Sequence, residues 1–524
     1  MVYNQSNTRV AHGDFSIQTS PTSHHHQLYK HFPSNYTNIT CTSHTFTHTT
    51  LATTIMAQNH NFLIITYPLQ GHINPAIQFA KRLVTMGAQV TFATTIYLHR
   101  RLVNKPTIPD LSFATFSDGF DDGHENKSDD NFITYMSELQ CRSSEFLTSI
   151  ILSAKQEGRP FTCLIYSLII PWVPKVAREL HLPSALLWIQ AATVFDIYYY
   201  YFLNHGDYIT NISDNAKCSI DLPGLSFSLK SCDLPSFLLA SNTYTFALPS
   251  FKEQLQILDE ETNPRVLVNT IEEFELDALR VVDVGKIKMI PIGPLIPSAF
   301  LDCKDPSDTS FGGDVIRVDS DDNYIEWLDS KDELSVVYVS FGSLAILPKR
   351  QMEEIARALL DSGFPFLWVI RDKNLQQQKE EEDELSCREE IEKNGNGKIV
   401  KWCSQVEVLS HSSLGCFVTH CGWNSTLESL SSGVPMVAFP QWTDQTTNAK
   451  LIEDVWKTGV RLNHDDEGIV KAEEIRRCLE LVMGKGEKGE ELRRNANKWK
   501  SLAREAVKED GSSDKNLKTF LSDI

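Results

Sequence analysis

No window of eighteen or more apolar residues occurs in the 524-residue chain, so it has no membrane-spanning helix to offer. Basic residues are scarce beside acidic ones. The count of 49 Lys and Arg against 68 Asp and Glu gives a formal net charge of −19, which argues against a nucleic-acid backbone or an anionic lipid surface as partner. The eleven cysteines are odd in number and scattered, and no pair has zinc-ligand spacing beside a second pair. Reduced thiols in a cytosolic protein account for them. No Gly-x-Gly-x-x-Gly follows a strand-like run, which disfavours a nucleotide-dependent oxidoreductase. No Gly-x-Ser-x-Gly exists, which disfavours a serine hydrolase. The first 55 residues hold a single acid, Asp14, and no periodic apolar pattern. Residues 1–56 therefore read as a disordered extension upstream of Met56, with no catalytic role. A plastid transit segment is the competing reading, since the stretch is rich in Ser and Thr, although only Arg9 and Lys30 supply positive charge. Cytoplasmic placement is expected otherwise.

From Phe62 the pattern alternates between strand and helix. Phe62 to Thr66 is a continuous apolar run, as a parallel strand covered on both faces requires. A glycine turn follows, then an amphipathic helix from Ile73 to Met86, then a strand from Gln89 to Ala93. Cys163 to Tyr166 and Ala185 to Trp188 continue the series. This predicts a doubly wound α/β domain over 57–295. Pro291, Pro294 and Pro297, then a polar run, mark a linker over 296–330. A second α/β series fills 331–505, with strands predicted at Val336 to Phe341 and Phe366 to Ile370. The highly charged run 376–384 has no apolar face and reads as a solvated loop.

The densest polar cluster is Thr419-His420-Cys421-Gly422-Trp423-Asn424-Ser425, followed by Glu428. An apolar run, Leu414 to Val418, precedes it, and Leu427, Leu430 and Val434 follow at roughly helical spacing. The cluster thus sits where a strand turns into a helix. The first N–H groups of that helix lack partners and its dipole favours negative charge, so the place suits a phosphate. Ser425-x-x-Glu428 also fits a capping box, and Asn424 a plain N-cap, neither of which needs a ligand.

Trp402-Cys403-Ser404-Gln405 lies upstream of the cluster and Pro440-Gln441-Trp442-Thr443-Asp444-Gln445 downstream. The whole window from 402 to 445 resembles the signature box of plant family 1 UDP-sugar glycosyltransferases, with Ser404 where many members have proline. The resemblance runs from about residue 58 to the C-terminus. It implies the GT-B fold: α/β, with two facing Rossmann-like domains, an interdomain cleft, and a last helix (506–524) returning to the N-terminal domain. It also implies roles. Trp402 would stack on uracil, with the Cys403 backbone and Gln405 reading uracil and ribose. Glu428 would accept from the ribose hydroxyls. Ser343, His420, Asn424 and Ser425 would hold the diphosphate. Trp423, Asp444 and Gln445 would hold the sugar, and Gln445 as the last residue resembles glucose users. Asp444 taken alone could simply cap the helix that follows it.

His72, in Gly71-His72-Ile73-Asn74-Pro75, is expected in the loop after the first strand, at the carboxyl edge of the sheet. A lone His there is more often structural. The resemblance makes it the catalytic base, a task suited to imidazole. The family backs this His with an Asp in a pattern like Tyr-Asp-x-x-x-x-Trp. In Tyr166-Ser167-Leu168-Ile169-Ile170-Pro171-Trp172, Ser167 takes that position. Without a carboxylate His72 should be a weaker base, and a hydroxyl could still orient its ring. The enzyme would then favour acceptors that need little deprotonation. The crocetin, anthocyanin 5-O and abscisate glucosyltransferase subgroup is similar through Trp188-Ile189-Gln190, with Gln190 on the acceptor side, and through the four tyrosines Tyr198 to Tyr201.

The expected function is inverting glucosyl transfer from UDP-glucose, the co-substrate, to a small plant metabolite or hormone. The alternative is a catalytically weak UDP-sugar-binding or regulatory protein. No cofactor or metal is implied: Asp319-Ser320-Asp321 has metal-clamp spacing but lies in the polar linker. Partners are the small acceptor and UDP-glucose, without nucleic acid or stable membrane insertion, and a monomer is expected.

Overall fold

The structure is a computed structural model. It describes residues 60–524 except 104, 125–128, 205, 207–208, 210–218, 240–246, 282–285, 313–322 and 372–384. The readings made for the first 59 residues, for Asp319 to Asp321 and for 376–384 lie outside the described residues.

Two parallel sheets organise the chain. The first has seven strands: β1 (Asn61–Ile65), β2 (Gln89–Thr95), β3 (Leu111–Phe116), β4 (Cys163–Ser167), β5 (Ser184–Trp188), β8 (Arg265–Val268) and β9 (Lys288–Pro291). Their spatial order is β3-β2-β1-β4-β5-β8-β9. A two-stranded hairpin, β6 (Ser219–Ile220) with β7 (Leu229–Lys230), lies outside it. The second sheet has six strands: β10 (Val336–Ser340), β11 (Phe366–Val369), β12 (Gly397–Val400), β13 (Leu414–Thr419), β14 (Met436–Ala438) and β15 (Gly459–Arg461). Its order is β12-β11-β10-β13-β14-β15. Both are Rossmann-like, and together they form the GT-B arrangement. The central strands are predominantly apolar because helices cover both faces. All five residues of β4 and of β10 are buried.

Each order reverses direction once, between β1 and β4 and between β10 and β13. At such a switch point the loops after the two strands diverge and leave a crevice at the carboxyl ends. Ile65 pairs with Tyr166, so the turns after β1 and β4 are neighbours. Ser340 pairs with Thr419, so those after β10 and β13 are neighbours too.

Five helices matter for the site: α1 (Gln70–Thr85), α2 (Ala192–Tyr199), α3 (Trp423–Ser432), α4 (Gln445–Lys450) and α5 (Ser512–Ser522). Helix α1 begins three residues before the predicted start. Gly71 suggested a turn, yet the N–H groups of His72 and Ile73 already bond Leu69 O. His72 is therefore in the first helical turn and not in a loop. Helix α5 lies against the first sheet. Ser513 Oγ donates to Gly293 O at 2.6 Å, and the rings of Phe520 and Phe62 stack at 6.4 Å.

Candidate active site

The carboxyl ends of both sheets face one cavity of about 1350 Å³. His72, Gln190, Ser343, Trp402, Cys403, Gln405, His420, Trp423, Asn424, Ser425, Glu428, Asp444 and Gln445 all line it. Ser167 lies behind His72 and is fully buried.

Ser167 ends β4, and β4 pairs with β1. That pairing brings Ser167 Oγ to 3.0 Å from His72 Nδ1. The same oxygen accepts the Tyr67 N–H at 3.0 Å and donates to Leu168 O at 3.4 Å. With Ser167 donating to Leu168, its free lone pair can accept an Nδ1–H from His72. That tautomer leaves Nε2 with a lone pair for a reacting proton. Tyr67 packs edge-on to the imidazole at 5.5 Å. Burial pushes the His72 pKa down to about 3, so the ring is neutral at physiological pH.

Across the cavity, β13 ends at Thr419 and α3 starts at Trp423 with Gly422 as N-cap and no side-chain cap. The cap reading of Asn424 and the capping-box reading of Ser425 and Glu428 are thereby overturned. Ser425 and Glu428 are three apart inside the helix, hence on one face. Both accept from Gln405 Nε2, at 2.8 and 2.7 Å. Asn424 Nδ2 instead donates to Gly71 O at 2.9 Å. The uncapped N–H groups of the first turn of α3 remain as donors.

His420 sits in the turn between β13 and α3. Burial lowers its pKa to about 4, helped by the nearby Arg371 guanidinium and opposed by a backbone hydrogen bond to Ser340. Its Nδ1 is buried without a partner. Two glycines make room for the ring. A Cβ on Gly342 would lie 2.6 Å from His420 Nε2, and one on Gly422 2.5 Å. Gly342 also has φ +71°, which favours glycine.

Asp444 precedes α4, but its side chain caps nothing. It accepts from Thr443 Oγ1 at 2.8 Å and Asn448 Nδ2 at 2.7 Å. Burial raises its pKa, and hydrogen bonds from Thr443, Asn448 and Gln190 work the other way. Gln190 thus bridges toward the predicted sugar residues, although it was assigned to the acceptor side. Its Oε1 is buried without a partner. Gln445 Oε1 accepts the N–H groups of Gln441 and Trp442, at 2.8 and 3.1 Å, which leaves its NH₂ as the free end. The Trp423 indole N–H donates to Asn269 O at 2.8 Å. With its indole N–H engaged, Trp423 still has the unpaired backbone N–H of the first turn of α3 on the cavity side.

Sequence reasoning missed Arg371. Its guanidinium bonds Ser343 O, and donates to Ala345 O at 2.8 Å, so it shapes the loop after β10. A charge just past the carboxyl end of β11 was the available signal. The four tyrosines do not line the cavity. Tyr198 is buried and stacks on Phe251 at 4.4 Å, so α2 packs into the core.

The profile described as "UDP-glucoronosyl and UDP-glucosyl transferase" matches residues 313–495. The chain is similar to a phloretin 4'-O-glucosyltransferase of Malus domestica, 60% identical over 477 residues, which is 89% of this chain and 98% of the relative. It is also similar to a chloroplastic crocetin glucosyltransferase of Gardenia jasminoides, 58% identical over 472 residues, again 89% and 98%. Among solved structures it is similar to Os79 from O. sativa in complex with UDP. That match has a TM-score of 0.78 and 33% identity, and covers 88% of this chain and 99% of the other.

Proposed function

The chain belongs to the UDP-glucoronosyl and UDP-glucosyl transferase family, as a plant UDP-glycosyltransferase, and on that premise we propose that it transfers glucose from UDP-glucose, with inversion, to a small plant phenol or carboxylic acid. The first series (57–295) supplies the acceptor side and the base, and the second (331–505) the donor site. One observation carries the reading: a neutral, buried imidazole, oriented through Nδ1 by Ser167 at 3.0 Å, shares a cavity with the open N-terminus of α3.

In this reading the acceptor oxygen attacks the anomeric carbon while its proton passes to His72 Nε2. The bond from that carbon to the diphosphate breaks, and its electron pair stays on the UDP oxygen. That developing charge meets the first-turn N–H groups of α3, Ser343, Ser425 and His420. Trp402, the Cys403 backbone, Gln405 and Glu428 hold the uridine. Asp444 and the Gln445 NH₂ hold the sugar hydroxyls. The donor is a co-substrate, and no resident cofactor enters the scheme. The acceptor class follows from phloretin and crocetin, the compounds in the relatives' names. An apolar wall of Tyr67, Val103, Leu168, Ile169, Phe237 and Phe251 supports it.

His72→Ala tests the reading. Transfer from UDP-glucose to a phenol such as phloretin should fall about 10²–10⁴-fold, the usual loss of a general base. UDP affinity, measured by calorimetry, should stay near wild type, because the base acts on the acceptor. A variant that keeps more than about a tenth of wild-type turnover would remove His72 from the role.

A further inference from the structure

Pro75 lies inside α1, where a proline ordinarily weakens a helix. It has no N–H, so the carbonyl of Gly71, four residues earlier, receives no hydrogen bond from that position. The pyrrolidine ring also crowds that carbonyl. The carbonyl is nevertheless satisfied. Asn424 Nδ2, from the first turn of α3, donates to it at 2.9 Å across 353 positions of sequence. Gly71 is the residue before His72, and both line the cavity. A Cβ at Gly71 would meet nothing within 4 Å, so packing does not explain the glycine, and its carbonyl is the group in use.

We propose that Pro75 and Asn424 act as a pair of positioning residues. Pro75 releases the Gly71 carbonyl from its own helix, and Asn424 uses it to latch the His72 turn onto α3. The proposal rests on the base reading of His72. His72 and α3 stand on different sheets, so slack between the sheets becomes slack between base and donor, and misplacement by about 1 Å can cost about 10²-fold in rate. A hydrogen bond one residue from the base removes that slack where it matters. Asn424 keeps its backbone N–H for a diphosphate, so the latch and a donor contact can coexist.

Pro75→Ala isolates the latch. The new N–H competes for Gly71 O, while the substitution suits a helix and leaves the donor box untouched. At saturating phloretin and UDP-glucose, kcat should fall about tenfold, the rate equivalent of one ordinary hydrogen bond. The donor KM should stay within about twofold, because no donor contact is lost. Asn424→Ala should lower kcat as well, and Pro75→Ala added to it should cost nothing further, as coupled sites require. A donor-free measurement separates this idea from the base reading. In ¹³C-histidine-labelled enzyme without UDP-glucose, the His72 ring resonance, assigned by its loss in His72→Ala, should shift in both variants. A residue that only binds phosphate would leave that resonance in place. Unchanged kcat in Pro75→Ala, multiplying losses in the double variant, or an unmoved His72 resonance in Asn424→Ala would each overturn the latch. If the resonance moves but His72→Ala retains phenol turnover, the latch stands and the base assignment falls.

Discussion

At the scale of single residues, the Ser167 position carries the most chemical information. In the proposed mechanism, a carboxylate there would stabilise the imidazolium formed when His72 takes the acceptor proton. Ser167 Oγ, 3.0 Å from Nδ1, orients the ring without supplying that charge. With burial holding the His72 pKa near about 3, the ring is neutral throughout the working range. The pH profile of kcat/KM should therefore show no acid limb from this group between about pH 5 and 8, since the base is deprotonated well above its pKa. Ser167→Asp sets a negative charge beside Nδ1, which favours the protonated ring and raises its pKa by about 1–3 units. The acid limb should move to higher pH. The stronger base should help a neutral phenol, whose proton must leave, and do little for an already ionised carboxylate. The ratio of phenol to carboxylate turnover should rise, measured with phloretin and crocetin at saturating UDP-glucose. An unchanged ratio with an unchanged profile would return acceptor preference to pocket shape. The departure at Ser167 was legible in the sequence because a pattern with fixed spacing surrounds it. The indole bond of Trp423 was not, since its partner Asn269 lies 154 positions away.

At the scale of elements, strands were the most legible feature. β1, β4, β10 and β13 are short, doubly covered and apolar through their middles, and their predicted bounds differ from the observed ones by a residue or so. Helix starts were less so. Gly71 looked like a turn but is helical, which moved His72 from a loop onto α1. The spacing of Ser425 and Glu428 also fits a capping box, because capping and one-faced display share the same three-residue period. Gln405, 20 and 23 positions upstream, decides between them, and no local pattern points to it. The turn between β13 and α3 makes its own prediction. Gly422 has φ −58°, so alanine there brings no backbone strain. Its Cβ would nevertheless meet His420 Nε2 at 2.5 Å, and the imidazole would have to move. Gly422→Ala should raise the KM for UDP-glucose by about tenfold or more, the worth of one hydrogen bond to a charged group. The acceptor KM should stay near wild type, because the acceptor wall is built from the other sheet. Gly486→Ala, outside the cavity lining, is the control, as its Cβ meets nothing. If Gly422→Ala binds the donor as wild type does, His420 is not a donor contact.

At the scale of the whole molecule, charge and function pull in opposite directions. The chain carries −19, yet its proposed donor is an anionic nucleotide sugar. Among the described residues that line the cavity, none is Lys or Arg. Arg371 stands behind the loop after β10, with its guanidinium on two backbone carbonyls. Diphosphate binding would then rest on short-range groups: the N–H groups opening α3, the hydroxyls of Ser343 and Ser425, and His420. Such contacts act within a few ångströms and are little affected by salt. The repulsion from the net charge acts over longer distances and is screened. Raising ionic strength from about 0.01 to 0.15 M shortens the screening length from about 30 to 8 Å. The KM for UDP-glucose should therefore fall as salt rises over that range, by about twofold or more, while kcat stays level. A phosphate site built on Lys and Arg does the reverse, because salt weakens its long-range attraction. Steady-state kinetics at fixed pH, with NaCl or KCl as the only variable, distinguishes the two. A KM that rises with salt would mean that cations outside the described lining reach the diphosphate, and the account of the donor site as neutral dipoles at the end of a strand would have to be given up.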